Sequence, residues 1–103
     1  MKIRVWLSYD LGVQGDYESL YSWLDGQKAL ECGDSIATFL WEDGENIKES
    51  IKKSLEARVE FKKNDRVYLI FKTEDTNNGS FIIGKRKSSR WDGYSSEFTE
   101  DDV

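Results

Sequence analysis

Two apolar stripes at helical spacing, each framed by strand-like runs, dictate the plan of this chain. Leu20 and Leu24, flanked by Tyr17, Tyr21 and Trp23, form the first stripe; Ile47, Ile51, Leu55 and Val59 form the second. Asp16 and Asn46 stand just ahead of them, where a side-chain oxygen can accept a free N–H of the first turn. Residues 2–9, 29–32, 35–41 and 66–72 read as strands, with a Gly33-Asp34 hairpin turn between the second and third. Residues 81–83 read as a short fifth strand after a polar connection over 75–79. This order predicts an α+β, ferredoxin-like βαββαβ domain with a short extra C-terminal strand. The sheet is antiparallel and both helices cover one face. The domain is expected over residues 1–90, followed by an acidic, mobile tail over 91–103 that carries Glu97, Glu100, Asp101 and Asp102.

Charge and composition narrow the function classes. A net charge of −5 makes the chain as a whole a poor match for phosphate backbones, so any nucleic-acid contact falls to a local patch. With no histidine, triads that use His as base and His-containing zinc sites are excluded. The single Cys32 cannot close an intramolecular disulfide, which fits a reducing cytoplasm, and it is expected to be a small buried apolar residue. No apolar run approaches the roughly 20 residues that a membrane span requires, so no membrane role is expected. A cytoplasmic location is the expectation.

The segment Leu7-Ser8-Tyr9-Asp10-Leu11 closes the first strand, and Asp16-Tyr17-Glu18-Ser19-Leu20-Tyr21 opens the first helix. With the hairpin leading into Asp34-Ser35 and the later Asp65-Arg66-Val67-Tyr68-Leu69-Ile70 run, these motifs resemble the SinR-like and VapD-like branches of the CRISPR-associated Cas-two superfamily. The resemblance spans residues 3–84. It implies a homodimer in which Asp10 faces its twin. It also implies, as in members with nuclease activity, a divalent metal such as Mg²⁺ or Mn²⁺ held by the paired Asp10 for phosphodiester cleavage. Other members of the superfamily grip nucleic acid or a protein partner without cleaving.

Asp10 is therefore the candidate catalytic and metal-binding residue, since Mg²⁺ favours carboxylate oxygens and retains waters. The alternative is that Asp10 caps the turn at Gly12 through backbone N–H groups. Ser8 and Tyr9 are candidates for phosphate contact, against a plain strand role. Lys85, Arg86, Lys87 and Arg90, with Trp91 alongside, are the candidate single-stranded nucleic-acid or RNA contacts, because cations beside an aromatic ring engage phosphate and base together. The alternative is a solvated strand end balanced by the acidic tail. Trp6, Phe39, Trp41 and Tyr68 form either a stacking platform or a dimer seam. Two functions follow: a dimeric, Cas-two-like nucleic-acid-associated protein with metal-dependent endoribonuclease activity in question, or a non-catalytic protein-interaction module of a mobile-element or defence locus.

Overall fold

A computed structural model describes residues 2–42, 44 and 46–95. The elements run β1 (Lys2–Asp10), α1 (Tyr17–Gly26), β2 (Leu30–Glu31), β3 (Ile36–Glu42), α2 (Ile47–Glu56), β4 (Arg66–Lys72) and β5 (Asn77–Ile83). They build an α+β domain with one five-stranded sheet in the order β2-β3-β1-β4-β5, every neighbouring pair antiparallel. β1 lies at the centre, with Val5 opposite both Phe39 and Phe71, and Leu7 opposite both Ala37 and Leu69.

Strand alternation divides the sheet into two unlike faces. Val5, Leu7 and Tyr9, with Ala37, Phe39, Val67 and Leu69, point into the core, where they meet Leu20, Trp23 and Leu24 of α1 and Ile47, Ile51 and Leu55 of α2. Both helices thus bury their stripes against one side of the sheet. Each fully buried Leu or Ile there contributes about 1.5–3 kcal/mol. Trp23 locks the two helices together: its indole N–H donates to Ser54 Oγ at 2.9 Å, and its ring meets Phe39 edge-on at 5.4 Å. The helix starts are those expected, with Asp16 accepting from the Ser19 amide at 3.2 Å and Asn46 from the Glu49 amide at 3.1 Å.

Several local expectations change. Strand β2 has only two residues, and four residues rather than two join it to β3, because the chain at Gly33 takes a positive φ of 144° outside hairpin geometry. Strand β5 is longer than residues 81–83, starting at Asn77, so the polar 77–79 stretch pairs with β4 as an edge strand instead of looping. A bulge beside Val67 leaves Ile82 unpaired; Ile82 is buried, while Phe81 is carried on the opposite face beside Tyr68. Phe39 and Trp41 pack with Trp23 on the helix side, so they cannot share a platform with Trp6 and Tyr68. Cys32 is exposed, not buried, because it sits in the β2–β3 connection. Of the expected tail, residues 96–103 lie outside the described residues; Trp91 and Tyr94 are exposed. No helix among the described residues is long and apolar enough to cross a membrane.

Candidate functional site

The helix-free face carries Arg4, Trp6, Ser8 and Asp10 from β1, Ile36, Thr38 and Leu40 from β3, Arg66, Tyr68 and Ile70 from β4, and Phe81 from β5. At the Asp10 end it dips into an open concavity of about 390 Å³. Ser8, Asp10, Arg66, Tyr68, Phe81 and Arg86 supply its polar and aromatic lining. Five different segments meet there, because β3, β1, β4 and β5 are neighbours in the sheet and the chain after β5 carries Arg86 over the Phe81 ring.

Phe81 is the centre of this cup. The Arg66 guanidinium carbon lies 5.8 Å from its ring centroid and that of Arg86 lies 5.4 Å away, while Tyr68 meets the ring edge-on at 4.8 Å. Two cations over one ring gain from its quadrupole. Tyr68 can lean across β5 because residue 79 is glycine: a Cβ there would stand 2.8 Å from the Tyr68 hydroxyl.

Asp10 and Arg66 face one another across the β1–β4 ladder, and Arg66 Nη2 donates to Asp10 Oδ2 at 2.7 Å. The pair is half open to water, with side-chain exposures of 57 % for Asp10 and 24 % for Arg66, so its role is more to aim the guanidinium than to hold the fold. Arg66 Nε is buried with no hydrogen-bond partner. With Arg66 and Arg86 against Asp10, the cup carries a net charge of +1 on a chain whose total is −5. Guanidinium forks beside aromatic rings suit a ligand that presents both phosphate oxygens and a flat ring.

The same geometry tests a divalent metal. Mg²⁺ and Mn²⁺ require several oxygen donors. No cluster of three or more Asp, Glu, His or Cys side chains occurs among the described residues. Asp10 is one carboxylate, and a guanidinium 2.7 Å away competes for its oxygen. Within one chain the donor set does not fit a divalent cation.

The remaining predicted residues fall out unevenly. Ser8 and Asp10 sit in the cup, Asp10 bonded to Arg66 and not to the Gly12 amide. That amide donates instead to Asp65 Oδ1 at 2.9 Å. Tyr9 borders the cup, but its ring is buried on the helix side near Tyr21, and its hydroxyl donates to the Asp34 carbonyl at 3.3 Å. Burial, followed by the neighbouring Tyr21, pushes the Tyr9 phenol above its ordinary value and keeps it a neutral donor. Arg86 enters the cup; Lys85 and Lys87 line an adjoining cleft. Arg90 and Trp91 line neither.

Sequence reasoning missed Arg66, Phe81 and Asp65 as site-building residues. Arg66 carried a signal, since a charged residue opening a strand that pairs with the Asp10 strand is a natural cross-strand partner. Phe81 carried none, because its face depends on the bulge. Comparison with known protein families, with curated proteins and with solved structures finds no match to this chain.

Proposed function

We propose that the protein is a ferredoxin-like, Cas-two-like homodimer that binds single-stranded nucleic acid, RNA in the first instance, at the cup on its helix-free sheet face. The carrying observation is the convergence of Arg66, Arg86, Phe81 and Tyr68 beside Asp10. The strand order β2-β3-β1-β4 with two helices on one side supports the ferredoxin-like reading, with β5 as an addition at the β4 edge. A base stacks near Phe81 and Tyr68, while the guanidinium groups take phosphate oxygens. Asp10 is the positioning residue for Arg66. The exposed Leu40 and Ile70, next to Trp6, support a second copy covering the apolar part of the same face.

The reading is of binding without cleavage, because in each copy the Arg66 guanidinium 2.7 Å from Asp10 Oδ2 competes with a divalent metal for that carboxylate. The test measures affinity for a labelled single-stranded RNA across a salt series, with light scattering on the same sample. The expected result is a species of twice 12.0 kDa whose affinity falls with salt and drops about tenfold in Arg86→Ala. RNA incubated with the protein and Mn²⁺ is expected to stay intact. Metal-dependent cleavage abolished by Asp10→Ala contradicts the reading, as does an affinity that is independent of salt and of Arg86. A salt-independent affinity for a protein partner, lost on removal of residues 91–103, favours the interaction-module alternative.

A further inference from the structure

Behind Arg66 and Arg86 lies a second concavity of about 440 Å³. One wall is the turn ahead of β4, with Lys63, Asn64 and Asp65; the other is the segment after β5, with Lys85, Arg86 and Lys87. Gly84 brings the walls together. It has a φ of +74°, and a Cβ there would stand 2.4 Å from the Asp65 carbonyl oxygen, so only glycine lets the chain fold back this tightly.

We infer that this cleft takes the terminal phosphomonoester of a nucleic-acid strand whose neighbouring base occupies the cup. The inference rests on the cup reading and adds a preference for strand ends. Arg66 and Arg86 line both concavities, so a ligand passes from one to the other without leaving them. Lys63, Lys85, Arg86 and Lys87 have no carboxylate within ion-pair distance among the described residues. Asp65 is the carboxylate in the lining, and both its oxygens are taken: Oδ1 accepts from the Gly12 amide and Oδ2 from the Lys62 amide at 2.8 Å. Three lysines together with Arg86, none with a carboxylate partner among the described residues, match a dianion better than a monoanion. An internal phosphodiester carries a single negative charge, whereas a terminal monoester carries roughly 1.5 to 2 near neutral pH. Its extra charge and third free oxygen are what the cleft is equipped to hold.

The experiment compares one short single-stranded RNA bearing a 5′-hydroxyl, a 5′-phosphate or a 3′-phosphate, each labelled at the opposite end, by fluorescence anisotropy. One phosphorylated strand is expected to bind the wild type about tenfold tighter than the hydroxyl-ended strand. The double variant Lys63→Gln, Lys87→Gln is expected to erase that preference and leave hydroxyl-ended binding within about twofold, and Lys63→Arg, Lys87→Arg to restore it. Equal affinity for all three strands in the wild type overturns the inference. So does an equal loss for all three in the double variant, which marks the lysines as contacts to internal phosphates. Phe81→Ala separates the two claims. If it leaves hydroxyl-ended binding unchanged while the end preference persists, the cleft stands and the cup reading falls.

Discussion

At the scale of single residues, the end of β1 is organised by a buried carboxylate. Asp65 is only 2 % exposed, and it joins the loop after β1 to the turn before β4 by accepting from the Gly12 and Lys62 amides. Replacing it leaves two backbone donors without partners in a tight loop, and unsatisfied buried donors are costly. Asp65→Ala is expected to lower stability by on the order of 3 kcal/mol in urea unfolding, and to weaken nucleic-acid binding through the displaced Arg66. A variant as stable as the wild type would show that the loop holds itself. The sequence offered Asp10 for this capping role on proximity to Gly12 alone. Nothing local could indicate that a carboxylate 53 positions away from Gly12 would take it, because that contact exists only once β1 and β4 have paired.

Among the elements, the helices were readable and the short strands were not. The stripes of α1 and α2 and their caps follow from spacing and side-chain chemistry within a few residues. By contrast, β5 begins in Asn77-Asn78-Gly79, a turn-like run, and forms because β4 offers it an edge. Asp16 shows how a cap also joins elements: its second oxygen accepts from the Glu60 amide at 3.0 Å, tying the start of α1 to the chain leaving α2. That backbone hydrogen bond, then one from the Ser19 side chain, holds the Asp16 carboxyl below its ordinary 3.8. A carboxylate lowered in this way stabilises the fold fully above its unfolded value. The contribution fades as pH falls through the lower, folded value. The stability gap between wild type and Asp16→Ala is therefore expected to be constant at neutral pH and to shrink below about pH 4. Urea midpoints across that range provide the check; a gap that widens in acid contradicts the assignment.

For the whole molecule, the decisive feature is an asymmetry of charge and packing. One sheet face is closed by helices. The other stays open and gathers arginines and aromatics at the Asp10 end of an acidic chain. Much of that site was visible in advance: Ser8, Asp10 and Arg86 were legible as β1 end and basic run and Tyr68 as a stacking candidate, but their meeting depended on sheet order and on the bulge that aims Phe81. Arg90 and Trp91, adjacent in sequence to the basic run, line neither concavity. The most direct test of the binding claim is an amide chemical-shift map of the protein titrated with short single-stranded RNA. The predicted result is a cluster of shifts at Ser8, Asp10, Arg66, Tyr68, Phe81 and Arg86, with the α1 and α2 amides unmoved. Shifts confined to the helices or to the β2 edge, or none at all, would contradict it.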